Sequence, residues 1–265
     1  MPTLLLPDRR IYYRVDGHGA WLVLAHGLSQ NHMVWSEQLP ALARDYRILR
    51  VDLRGHGFSS APEGGYGQME YLSDILAVLD HLGIRRAYWW GTHTGAGLGL
   101  LLATLQPDRV AALVLDGAVI PGALPPSVER HFAWARATGQ REGVDALLNA
   151  WFEQGDWFAG MRAKPVERRA LAHKDLVMSC SGAPWLSTTP PQPLPDIAAL
   201  LPSVHQHALL INGSEDLPDF LATAAQLEQA LPNATRYLIP GAGAFPFWEE
   251  PDTVNPVVIQ WLGDR

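Results

Sequence analysis

The chain carries a single cysteine, Cys180, so no disulfide framework can form within it and no cysteine-based metal site can be assembled. Basic residues are scarce as well. Twenty Lys and Arg against 27 Asp and Glu leave a net charge of −7, and no run of positive side chains occurs. Nucleic-acid binding is disfavoured on that ground. No apolar stretch approaches the roughly 18 residues needed to cross a bilayer. The patch from Met1 to Ile11 is broken by Pro7, Asp8, Arg9 and Arg10, so it lacks the core of a signal peptide. A cytoplasmic protein without a membrane partner is expected. No Gly-x-Gly-x-x-Gly follows the first apolar strand, so no dinucleotide is implied and no cofactor is expected. His131, His173, His205 and His207 lack metal-ligand spacing with carboxylates, so no metal is expected.

What is present is apolar. Over 265 residues, 48 % are hydrophobic, enough for a sizeable core in one large α/β domain or two small ones. Short apolar runs alternate with amphipathic stretches, the pattern of strand–helix–strand units. Strands are predicted over residues 21–25, 46–51, 87–90 and 110–115, and again over 208–211 and 235–239. Helices are predicted over 34–44, 72–82 and 98–105. From about Pro121 to Pro202 the strand pattern stops, and the segment is helical, aromatic and finally proline-rich. The organisation expected is an α/β doubly wound, mostly parallel sheet. Residues 1–120 and 203–265 form its core, and 121–202 form a helical cap insertion over the carboxyl edge, where open parallel sheets bind ligands.

The sharpest local signal is Trp90-Gly91-Thr92-His93-Thr94-Gly95, lying between an apolar strand and an apolar helix. A glycine on either side of a central residue allows a strained strand-to-helix turn that lifts one side chain above the sheet. Serine is the usual occupant of that centre. Here it is an imidazole.

Four further motifs appear in order: His26-Gly27-Leu28, Arg54-Gly55-His56-Gly57-Phe58-Ser59, Gly213-Ser214-Glu215-Asp216, and Gly241-Ala242-Gly243-Ala244-Phe245-Pro246 followed by Glu250-Pro251. With the elbow, they make the chain resemble the α/β-hydrolase superfamily over essentially its whole length, in particular the capped esterase, lactonase and C–C hydrolase types. The resemblance implies an oxyanion hole from the backbone N–H groups of Leu28 and Thr94, which do not depend on side-chain identity. It places the catalytic carboxylate on Asp216. The family's nucleophile falls on His93 and its catalytic histidine on Ala244. A Ser–His–Asp relay needs a hydroxyl, an imidazole to take its proton and a carboxylate to orient that imidazole. Only the last is in its usual place.

Several readings follow. His93 can serve as an acid–base group, since an imidazole of pKa about 6.5 suits proton transfer near neutrality, or it can merely fill the elbow. In the first case it is expected to lie within hydrogen-bond reach of Asp216, directly or through one water in the space left by Ala244, with its pKa raised. Asp116, at the end of the strand after the elbow helix, is an alternative acid, or a strand-end aspartate that bonds backbone amides. His26, His32, Trp134, Trp157, Trp185 and Phe245 are expected to line the substrate pocket. The function expected is acid–base chemistry on a small hydrophobic or aromatic carbonyl compound, of lyase, isomerase, cyclase or cofactor-free oxygenase type. The alternatives are an ester, lactone or C–C bond hydrolase with its serine and histidine replaced, and a non-catalytic small-molecule binder. The protein is expected to be a monomer or homodimer.

Overall fold

The computed structural model describes residues 2–163 and 167–265. Eight strands form one sheet: β1 (Thr3–Leu5), β2 (Arg10–Gly17), β3 (Ala20–Ala25), β4 (Tyr46–Val51), β5 (Ala87–Thr92), β6 (Val110–Asp116), β7 (Ala208–Gly213) and β8 (Ala234–Ile239). Their spatial order is β1-β2-β4-β3-β5-β6-β7-β8. The strands from β4 to β8 in that order are parallel, and β1 and β2 join antiparallel at one edge. Neither β1 nor β2 was foreseen from sequence, because β1 is only three residues long and Arg14 and Asp16 interrupt the apolar period of β2. Pairing of Tyr13 with Val51 and of Val15 with Leu49 supplies the order that local pattern lacks.

Both faces of the parallel region are buried, so its strands read as continuous apolar runs. Successive residues still part company across the sheet. Val23, Ala25 and Trp89 join one core, and Leu22, Leu24 and Trp90 join the other.

The predicted helix over 34–44 is not continuous. A 3₁₀ turn spans His32–Trp35 and a separate turn, α1, spans Leu39–Leu42. Pro40 accounts for the break, since proline lacks the N–H and obstructs the preceding turn, and it sits at the start of α1 instead. The next helices, α2 (Gln68–His81) and α3 (Thr94–Leu105), lie where the spacing placed them. Between β6 and β7 come α4 (Pro126–Glu142), α5 (Val144–Gln154), α6 (Ala159–Ala163), α7 (Glu167–Met178), α8 (Ala183–Leu186) and α9 (Ile197–Leu200). No strand occurs among the described residues of this segment, and residues 164–166 of the expected insertion lie outside them. The chain ends with α10 (Pro218–Ala230), α11 (Pro246–Glu249) and α12 (Pro251–Gly263) around the last two strands. No helix among the described residues is long and apolar enough to cross a membrane.

Candidate active site

The elbow forms because two glycines leave it room. A Cβ on Gly91 would sit 2.2 Å from the Gly95 carbonyl, and one on Gly95 would sit 2.0 Å from the Ala25 carbonyl oxygen. Between them His93 takes φ 46° and ψ −108°, a conformation costly for any residue with a Cβ. Its backbone N–H donates to the Asp116 carbonyl at 2.9 Å, which pins the turn to β6.

That backbone aims the imidazole away from the partner expected for it. His93 Nε2 lies 2.9 Å from the Ala244 carbonyl oxygen, and since a carbonyl only accepts, Nε2 carries the proton. The ring packs against Phe220 and Phe245, with centroids 4.9 and 4.7 Å away. Asp216 is occupied elsewhere: Asn212 Nδ2 donates to it at 2.9 Å and the Leu217 N–H at 2.7 Å. A direct His93–Asp216 hydrogen bond is therefore not made. The expected direction of the His93 pKa is corrected with it. Burial pushes the imidazole down to about 4, and only the bond to Ala244 opposes this. Burial likewise lifts the Asp216 carboxyl to about 7, against the hydrogen bonds from Asn212 and Leu217. The remaining nitrogen of His93, Nδ1, is the unprotonated one. It has no protein partner among the described residues and is not sealed from solvent, and His93 lines the cavity.

Leu28 and Thr94 line the same cavity. Neither backbone N–H donates to an acceptor among the described residues. The loop carrying Leu28 is held from several sides. Gln30 Oε1 accepts from the Gly27 N–H at 2.8 Å, and Gln30 Nε2 donates to His173 Nε2 at 3.1 Å. Trp151 Nε1 donates to Ser29 Oγ at 3.0 Å, while Ser29 itself sits at φ 64°. Two residues of the helical segment, Trp151 and His173, thus brace the loop. Gln30 and His173 went unmarked as site residues, and no local pattern could have joined positions 143 apart in sequence.

Asp116 is fully buried, with the Phe247 backbone N–H and the Thr92 side chain the groups that favour its charged form. Desolvation, with Asp216 and Glu249 nearby, raises its pKa well above the carboxylate range. Glu249 braces the loop around Ala244 by accepting from the N–H groups of Gly243 and Phe245 at 2.9 and 3.1 Å.

The cavity above the elbow has a volume of about 350 Å³. Its walls are Phe220 and Phe245 near His93, Phe132, Trp151, Trp157 and Phe158 from the helical segment, and Tyr66, Gln68 and Tyr71 around the start of α2. Of the six residues expected to line it, Trp157 and Phe245 do. His26 does not: Nδ1 donates to the Gly27 carbonyl at 2.7 Å and Nε2 accepts from the Leu53 N–H at 3.0 Å, a loop brace between strands. His32 is buried behind the loop on Asp52, 2.8 Å away. Trp185 is fully buried, stacked beside Phe132 and edge-on to Trp151. Trp134 lines shallow surface depressions on α4. Aromatic composition foretold the wall, but the face of each helix decided which rings reached it.

A family model described as alpha/beta hydrolase fold matches residues 20–251. Among curated relatives, a protein provisionally named as the carbamate hydrolase RutD, from Pseudomonas syringae pv. syringae (strain B728a), is 31 % identical over 84 % of this chain and 85 % of its own. Among solved structures, the enol-lactonase of Burkholderia xenovorans LB400 superposes with a TM-score of 0.87 at 26 % identity, covering 99 % of this chain and 100 % of that one. The esterase RhEst1 from Rhodococcus sp. ECU1013 gives 0.79 at 27 % identity, over 98 % of this chain and 97 % of its own. With the sheet order, the elbow and the match across most of its length, the chain belongs to the alpha/beta hydrolase fold family.

Proposed function

We propose that this protein is an enzyme of that fold acting on a small, uncharged carbonyl compound, with His93 Nδ1 as the base. The observation that carries the reading is the hydrogen bond from His93 Nε2 to the Ala244 carbonyl. It orients the ring as a carboxylate orients the histidine of a triad, and it leaves the Nδ1 lone pair on the cavity side. The backbone N–H groups of Leu28 and Thr94 polarise the carbonyl and hold its developing negative charge. His93 Nδ1 takes a proton, either from water attacking an ester or lactone or from the carbon beside the carbonyl. It returns that proton to the leaving oxygen or to the rearranged product. The helical segment over 121–202 acts as the cap, its aromatic rings excluding water and selecting apolar substrates. Relatives named as carbamate hydrolase and enol-lactonase support carbonyl substrates of this class.

Turnover of para-nitrophenyl esters and lactones, and deuterium exchange into enolisable ketones, test the reading. His93→Ala is expected to lower whichever activity is found by about a hundredfold or more. Activity unchanged by that substitution would sink the assignment. Because the imidazole titrates at about 4, the activity should hold on acidification to near that value and fall below it.

A second reading, a ligand-binding protein without turnover, draws on the same value. A base so far below neutrality accepts a proton weakly, and Asp216 does not assist it. Tight ligand binding with no detectable product from any arm of the panel would favour it.

A further inference from the structure

The cavity wall opposite the aromatic rings contains polar groups that the chemistry at His93 does not use. Gln68 opens α2 and lines the cavity, and neither end of its amide bonds to another described residue. Its Oε1 is sealed from solvent, 3.6 Å from where a Cβ on Gly97 would lie. Gly97 is one helical turn beyond the elbow, its N–H donating to the His93 carbonyl at 3.0 Å. Tyr71 follows on the same face of α2, three residues later. It is only 3 % exposed, it lines the cavity, and its hydroxyl also has no partner among the described residues. Buried polar groups in folded proteins are ordinarily paired, so two unpaired ones side by side on a ligand cavity call for a partner from outside the chain.

The chemistry of the pair narrows that partner. The Gln68 amide both donates and accepts, and the Tyr71 hydroxyl does the same. The one charged side chain on the lining, Glu129, is exposed. The nearby Arg54 guanidinium is spent on Asp74, the Glu70 carbonyl and the Gly65 carbonyl. Nothing here neutralises a carboxylate or phosphate. We infer that Gln68 and Tyr71 form a subsite for a neutral amide-type group, an N–H beside a C=O, carried on a short apolar chain from the carbonyl held at His93. The inference rests on the function proposed above for the carbonyl end, and it adds the specificity determinant at the other. One turn of helix separates the two points, which fits a spacer of a few methylenes.

Two esters of equal chain length test it: the para-nitrophenyl ester of N-acetyl-gamma-aminobutyrate and para-nitrophenyl heptanoate. Their methyl-ketone counterparts, which cannot be hydrolysed, give Kd by calorimetry. The acetamido compound is expected to be preferred about tenfold or more, in kcat/KM and in Kd, because a site built to hydrogen-bond rejects an analogue that cannot. In Gln68→Leu and in Tyr71→Phe the ratio between the paired compounds should collapse towards one. Equal affinity for the two ketones in the unaltered protein overturns the subsite without need of any variant. Preference in Kd with neither turnover of either ester nor deuterium exchange into either ketone would keep the subsite and refute the enzymatic reading instead.

Discussion

Two groups of imidazoles in this molecule, one fully buried and one half-buried, have opposite surroundings. In the loops that flank β3 and β4, His26 and His56 use both ring nitrogens. His26 bridges Gly27 to Leu53, and His56 donates to the Arg54 carbonyl while accepting from the Ser29 N–H at 3.2 Å. At the elbow, His93 uses one nitrogen and leaves the other on the cavity. All three are pushed down in pKa by burial, His56 to about 3 and His93 to about 4. A depressed pKa alone therefore does not set His93 apart from the loop histidines. The lone pair it leaves on a cavity does, and the proposed function rests on it.

The sharpest break of this contrast is to give the elbow back its hydroxyl. The protein as it stands should not react with a fluorophosphonate probe, since the apex of the elbow, His93, offers no hydroxyl and position 244 no imidazole to activate one. The double variant His93→Ser, Ala244→His should be labelled stoichiometrically at position 93, read by intact mass. Failure of the variant to label while still folded would mean that Asp216, held by Asn212 and Leu217, cannot orient an imidazole at 244.

Next in size is stability. His56→Leu strands the Ser29 N–H and the Arg54 carbonyl in the interior and should cost about 2–4 kcal/mol in urea unfolding. His93→Ala removes a ring that faces a cavity and should cost only about 1 kcal/mol. Equal costs would erase the distinction between brace and tool.

Acid should expose the shared property of both groups. The folded pKa values of His56, His93 and His173, about 3, 4 and 3, lie below the unfolded value of 6.5. Their contribution to stability is present above about pH 6.5 and is lost as pH falls through the folded values, on the order of several kcal/mol in all. Asp216 works the other way. Its folded value of about 7 lies above 3.8, so its contribution is full below 3.8 and is lost as pH rises through 7. The midpoint of urea unfolding should therefore fall as pH drops from 6.5 towards 4. Replacing His56 should flatten that slope, and Asp216→Asn should steepen it.

The smallest effect sharpens the site itself. Asp216→Asn should move the His93 titration, followed by NMR, by less than about half a pH unit, because the two do not hydrogen-bond. A larger movement would mean that the pair meets in solution.

Much of this was legible from residue order. The elbow glycines, the alternation of strands with helices and the five ordered motifs predicted the sheet, and they anticipated that His93 would sit at the strand-to-helix turn after β5. The helical reading between β6 and β7 needed only periodicity and the want of strand pattern. The pocket was less legible. Trp157 and Trp185 are the same residue type in the same segment, yet one meets the cavity and the other is wholly interior. His26 and His32, placed in motif-rich loops, turned inward to brace them. Composition counts rings and imidazoles, whereas lining a cavity depends on helix rotation and on which backbone groups still need partners.

The sequence alone determined that this chain builds a two-faced parallel sheet, because burial on both sides demands unbroken apolar strands. It also determined that position 93 carries an imidazole without a hydroxyl and that position 244 carries only a methyl group. Only the tertiary structure decided where the His93 ring points. The positive φ at the turn aims the ring at the Ala244 carbonyl, and the fold keeps Asp216 occupied with Asn212 and Leu217. The protonated nitrogen is then the one facing the loop and the basic nitrogen the one facing the cavity. That choice rests on a carbonyl 151 residues away in sequence, and a local pattern holds no record of so distant a partner.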